Sequence, residues 1–198
     1  MLRIICLVFA LTMCVNSARA AEQTAVFAGG CFWGVEAVFE HVKGVNSVVS
    51  GYSGGTKESA NYETVSSGTT DHAESVMIKF DPTKITYQQL LFIFFSVAHD
   101  PTQLNQQGPD HGRQYRSVIF YTNDEQKSQA LAFIKAVGDS KALSKPVATE
   151  VVPFKAFYNA EDEHQDFIKN NPTVDYVVFY DLPKLKELKK KFPELYHN

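Results

Sequence analysis

The chain has 198 residues, with 19 lysines and arginines against 22 aspartates and glutamates, for a formal net charge of −3. With 15 Phe, 9 Tyr and 21% charged residues, its composition excludes a disordered or low-complexity chain. A chain of this size can bury a core without disulfide or metal staples, and its mild acidity argues against a dedicated nucleic-acid binder.

Arg3 is followed by the apolar run Ile4 to Leu11, then by small and polar residues ending Ala18-Arg19-Ala20. A positive start, a short apolar core and an A-x-A ending read as a secretory signal peptide, with cleavage after Ala20. The expected organisation is a signal peptide over 1–20 and a single domain over 21–198, exported to the periplasm or the cell exterior. The alternative, a membrane-anchored lipoprotein through Cys14, is disfavoured by the bulky Met13 before it. Cleavage removes Arg3, Arg19, Cys6 and Cys14, so the mature chain is more acidic and keeps only Cys31. A lone cysteine in an exported chain is a partner-seeking thiol, a reactive thiol or a buried small hydrophobe.

Residues 24–28 read as a short buried strand, ended by Gly29-Gly30. A helix follows, with Val35, Val38, Phe39 and Val42 at i, i+3, i+4 and i+7, closed by Gly44. A second strand is expected over 45–52, and an irregular Gly-, Ser- and Thr-rich loop over 53–70. The third strand runs from Glu74 to Phe80. Thr86 and Gln89 form a capping-box pattern before a helix that is apolar nearly all round and therefore buried. A polar loop over 102–114 leads to a fourth strand over 115–121. Thr122 and Glu125 cap a third helix with Ala130, Phe133, Ile134 and Val137 as its stripe and Gly138 after its last turn. Beyond it the pattern weakens to a strand near 147–152, a short helix near 161–169 and a lysine-rich amphipathic helix over 183–192. The order strand, helix, strand, strand, helix, strand predicts an α/β (α+β) two-layer sandwich on a ferredoxin-like split β-α-β core. The C-terminal extension is expected to wrap that core.

Cys31 stands where the first strand turns into the first helix. The first N–H groups of a helix lack internal partners and carry partial positive charge, so this position is expected to favour the thiolate and draw its pKa down. Phe32 and Trp33 follow; they pack in the core or form an apolar collar beside a nucleophile. Glu74 shares parity with Val76, Ile78 and Phe80 on the apolar face of its strand. A carboxyl there frays into solvent, pairs with a cation or is desolvated, and desolvation makes it a general acid at neutral pH. Tyr62 and Tyr115 could donate to a developing oxyanion or simply fill the core. Asp110 lies with Gln114 in the polar loop, where it could orient other groups or accept a turn hydrogen bond. The histidines show no paired metal-ligand spacing, so no metal is expected.

At Gly30-Cys31-Phe32-Trp33-Gly34 the chain resembles the A-type peptide methionine sulfoxide reductases. Gly51-Tyr52-Ser53-Gly54-Gly55, Asn61-Tyr62, His72-Ala73-Glu74, His99-Asp100-Pro101-Thr102, Gln114-Tyr115-Arg116-Ser117 and Phe157-Tyr158-Asn159-Ala160-Glu161-Asp162 follow in the family's order. The resemblance implies a catalytic domain that reduces the S-epimer of methionine sulfoxide, free or in protein chains. It implies that Cys31 attacks sulfur, Phe32 and Trp33 hold the S-methyl group, Glu74 protonates the oxygen, Tyr62 and Tyr115 hydrogen-bond it, and Asp110 supports the polar network. It implies no bound cofactor and a Cys31 sulfenic acid as intermediate. Many relatives resolve that acid with C-terminal cysteines. None follows Cys31 here, so an external thiol is expected: a thioredoxin-like protein, glutaredoxin or glutathione, or dithiothreitol in vitro. Glu163 and Phe167 stand where the resemblance implies tyrosines, which leaves the composition of the outer wall of the site open. The expected assembly is a monomer without nucleic-acid partner or stable membrane association. A cysteine hydrolase, a thiol peroxidase and a non-enzymatic binding module are the rival readings of the residues alone.

Overall fold

The computed structural model describes residues 21–198. The expected signal segment, its cleavage point, Cys6 and Cys14 lie outside the described residues.

Four strands form the centre of the sheet: β1 (Gln23–Ala28), β2 (Val45–Ser53), β3 (Ala73–Phe80) and β6 (Val118–Tyr121). Their order is β6-β1-β3-β2, antiparallel throughout, which is the expected split β-α-β arrangement. Residues of alternate parity serve opposite faces. Ala25, Phe27, Val76, Ile78, Phe80 and Ile119 join one core cluster with Val35, Val38 and Phe39 of α1 (Phe32–Glu40) and Leu90 and Leu91 of α3 (Tyr87–Ile93). Val26, Ala28, Val118 and Phe120 face the other way, against Met77, Val152, Phe154 and Phe157. The capping box that opens α3 is complete, with Thr86 and Gln89 satisfying each other's amides. α3 continues as a π turn over Phe94–Ala98, and Phe92, 54% exposed, departs from the all-round burial expected of this helix.

The C-terminal third closes both edges of the sheet. β7 (Glu150–Pro153) pairs parallel to β6, and β8 (Phe157–Asn159) pairs antiparallel to the end of β2. α5 (Phe167–Asn170) and α6 (Leu182–Lys191) then lie on α1, where Ile168 and Val177 bury against Ala37, and the chain ends with a bridge between Val42 and Tyr196. Among the described residues no helix is long and apolar enough to cross a membrane.

Several boundaries differ from expectation. The stretch 53–70 is not wholly irregular: it holds a 3-10 turn at Lys57–Ser59 and α2 (Tyr62–Ser66), capped by Asn61, whose Oδ1 accepts the Thr64 amide at 2.9 Å. Tyr115 closes a 3-10 turn and does not begin the strand. α4 (Asp124–Asp139) is capped by Asn123 in place of Thr122, because the Gln126 side chain takes Thr122; Gly138 lies inside its last turn. β8 is three residues long, too short for any periodicity to announce it. The polar loop after the π turn carries a two-stranded ribbon, β4 (Gln106–Gln107) with β5 (Asp110–His111).

Candidate active site

The turn from β1 into α1 sets the first side chain. Gly30 has φ +90°, and a Cβ there would collide with the Gln107 side chain, so only glycine lets the ribbon close over this turn. Cys31 is the N-cap residue of α1 and is 7% exposed. Glu74 comes from β3, opposite Tyr52 on β2, and is buried at 2% exposure. The first helical amide, which has no partner within its helix, donates to it: Phe32 N–H to Glu74 Oε2, 3.1 Å. One hydrogen bond thus ties the carboxyl to the residue next to the thiol.

Burial pushes the Glu74 carboxyl up to about 8; the Phe32 amide pulls it back, and the negative charge of Asp110 adds to the rise. The desolvated alternative for Glu74 therefore holds and the frayed one does not. For Cys31 the expectation is overturned. Burial raises the thiol well above its ordinary value, the Glu74 and Asp181 charges raise it further, and the Trp33 amide and Lys184 only partly oppose them. The helix terminus acts in the predicted direction, but removing the thiolate from water outweighs it. The resting pair is a neutral thiol beside a neutral acid.

Tyr62 is the first residue of α2, and its amide donates to Glu161 Oε1 at 2.9 Å while Tyr52 donates to Glu161 Oε2 at 2.8 Å. Gln114 donates to the Ser66 carbonyl at 3.0 Å, which ties the Tyr115 turn to α2. Asp110, on β5, accepts a hydrogen bond from the Tyr176 hydroxyl. Phe32 is wholly buried and serves the core as well as the site, whereas Trp33 is half-buried. Trp33 stacks on Phe167 with ring centroids 3.6 Å apart and 7° between planes, and its Nε1–H donates to His164 Nδ1 at 3.3 Å. Phe167 thus completes the outer wall whose composition the resemblance put in question; Glu163 is exposed.

All seven predicted residues (Cys31, Phe32, Trp33, Tyr62, Glu74, Asp110 and Tyr115) line one cavity of about 340 Å³, together with Phe167, Val174 and Tyr176. The residue reading missed Tyr176, His164 and the roles of Glu161 and Val174. Glu161 carried a signal, since it lies in a run that matched the family; Tyr176 carried none, because its partner Asp110 is 66 residues away. Size alone does not select this cavity: one of about 390 Å³, lined by Arg113, Arg116 and Glu150 among others, contains no cysteine. A thiol, a protonated carboxyl, phenolic donors and an apolar wall around one space can deliver a nucleophile and a proton to opposite ends of a polar bond.

Comparison with known proteins points the same way. A family model described as peptide methionine sulfoxide reductase matches residues 23–196. The chain is 56% identical over 181 residues to peptide methionine sulfoxide reductase MsrA 2 of Mesorhizobium japonicum, covering 91% of this chain and 93% of that one. It is 56% identical over 179 residues to the MsrA 2 of Synechocystis sp., covering 90% and 83%. The solved structure of methionine sulfoxide reductase A of Corynebacterium diphtheriae superposes with a TM-score of 0.73 at 32% identity, covering 79% of this chain and 78% of that chain. The chain belongs to the peptide methionine sulfoxide reductase family, and it is an oxidoreductase that reduces methionine sulfoxide with electrons from thiols.

Proposed function

We propose that the reaction runs through Cys31 and Glu74 and acts on the S-epimer of methionine sulfoxide, free or in proteins. The sulfoxide seats with its methyl group against Phe32 and Trp33 and its oxygen toward Glu74, Tyr62 and Tyr115. Cys31 loses its proton and attacks the sulfur. Glu74 gives its proton to the oxygen, which makes the sulfur electrophilic and the oxygen able to leave. The tyrosine hydroxyls donate to the same oxygen as its charge grows. The oxygen passes to Cys31: thiol and sulfoxide become sulfenic acid and thioether, and the proton lost by Cys31 restores Glu74. Asp110, held by Tyr176, keeps negative charge near Glu74 and so favours its protonated form. The observation that supports this reading is the Phe32 amide on Glu74, a hydrogen bond between the carboxyl and the first turn of the helix that Cys31 caps.

With no cysteine after Cys31, the sulfenic acid is reduced by an external thiol. One thiol displaces water to form a mixed disulfide, and a second releases Cys31. A thioredoxin-like dithiol, glutaredoxin with glutathione, and dithiothreitol all have the required chemistry, and no bound cofactor is needed. The Arg3 to Ala20 pattern supports export, for repair of oxidised proteins outside the cytoplasm.

The test is reduction of methionine-S-sulfoxide with dithiothreitol by the mature chain and by Cys31→Ser. The variant is expected to lose all measurable turnover, and equal turnover would overturn the assignment. Mass spectrometry after substrate without reductant should show the mature N-terminus at Ala21 and one added oxygen on the Cys31 peptide.

A further inference from the structure

The reaction above uses neither Asp181 nor Lys184, yet both stand against the first turn of α1. Asp181 ends a π turn over Val177–Asp181 and is wholly buried; Lys184 is one helical turn on, in α6. Lys184 Nζ donates to Asp181 Oδ1 at 3.1 Å, with the lysine side chain 19% exposed and the aspartate side chain 0%. The second carboxylate oxygen, Oδ2, is buried with no partner. Gly34 lies directly beneath the pair: a Cβ there would collide with both Asp181 Oδ1 and Lys184 Nζ. Gly34 is three residues from Cys31, so the ammonium and carboxylate sit beside the helix turn that carries the nucleophile.

A buried ion pair with one bare oxygen is a poor stability device, since its desolvation offsets its attraction. Its placement has a different consequence. The ionisable groups that face Cys31 are Glu74 from β3, Tyr62 from α2, Asp110 from β5, Tyr115 and Tyr176, with Asp181 and Lys184 from the C-terminal segment. Among these described residues Lys184 is the one cation. We propose that Lys184, held by Asp181 across the bare face of Gly34, is a positioning residue that supplies the positive charge beside which the Cys31 thiolate forms. The two charges act on the thiol in opposite senses, Lys184 drawing it down and Asp181 pushing it up. Lys184 also opposes the rise that burial gives Asp110 and, through Coulomb repulsion, helps keep the buried His99 neutral, with its pKa lowered to about 4 chiefly by burial.

The inference rests on Cys31 as the nucleophile, and its test reads the thiol's own titration, which is separate from loss of turnover in Cys31→Ser. The rate of iodoacetamide alkylation of the Cys31 peptide is measured by mass spectrometry against pH in the full chain. Lys184→Met is expected to slow alkylation at pH 8 about tenfold, the effect of one pH unit in the midpoint. Lys184→Arg, which keeps the charge, should restore the rate to within about threefold of the wild type. Asp181→Asn keeps an amide oxygen for Lys184 while removing one negative charge, so its midpoint should move down. Opposite shifts from two neighbouring residues are not the signature of a packing defect. An unchanged midpoint in Lys184→Met, equal shifts in Lys184→Met and Lys184→Arg, or shifts of one sign in Lys184→Met and Asp181→Asn would overturn the proposal.

Discussion

Glu74 and Glu36 are buried to the same degree, 2% exposed, and burial pushes both carboxyls up to about 8. Their surroundings differ. Glu74 accepts the first amide of α1 and lines a cavity with Cys31, Tyr62 and Tyr115. Glu36, one turn along the same helix, faces Glu40, Asp166 and Ser50, and no nucleophile. A displaced pKa therefore marks desolvation, and only the company of a nucleophile, donors and open space turns desolvation into acid catalysis.

The largest effect that would sharpen this contrast belongs to Glu74→Gln. It should lower kcat/KM at pH 7 by about 10²–10⁴-fold, the usual worth of a positioned acid. The productive wild-type pair carries one proton between Cys31 and Glu74, and below about 8 both are protonated. Wild-type kcat/KM should thus rise toward pH 8, and Glu74→Gln should lose that limb and follow the thiol alone. A variant with the wild-type rate and profile would remove Glu74 from the reaction. Next come Tyr62→Phe and Tyr115→Phe, each expected to lower kcat by about 10²-fold through loss of one donor to the oxygen; a change confined to KM would reassign them to packing.

Glu36→Gln is the smallest in activity, within about twofold of wild type, and its effect should appear in stability. Its folded-state pKa lies above the ordinary 4.5, so its contribution is full below about 4.5 and is lost as pH rises through about 8. The amide should therefore stabilise the protein by about 1–3 kcal/mol at pH 8 and leave it unchanged near pH 4, read by urea unfolding. A large loss of turnover in this variant would break the distinction between the two carboxyls.

Much of the site was legible because local rules carry it. The double glycine places Cys31 at a strand-to-helix turn, strand parity turns Glu74 toward the apolar face, and the Thr86–Gln89 pattern opens α3. Other parts were not. Tyr62 was assigned to an irregular loop because α2 is five residues long, too short for a helical period to register. Tyr176 and His164 act through partners 66 and 131 residues distant. Phe32 was an even choice between core and collar; it is wholly buried in the core and also lines the cavity.

The amino-acid sequence by itself determined the order of the main elements, the turn that holds Cys31 and the residues able to carry the chemistry, since turns, parity and caps depend on near neighbours. Only the tertiary structure decided the protonation of Cys31. The local helix terminus favours a thiolate, but β3, α6 and the π turn before it, all remote in the chain, exclude water and bring two carboxyl groups and one ammonium near the same sulfur. Desolvation grows with everything packed around an atom, and no stretch of sequence around Cys31 records it.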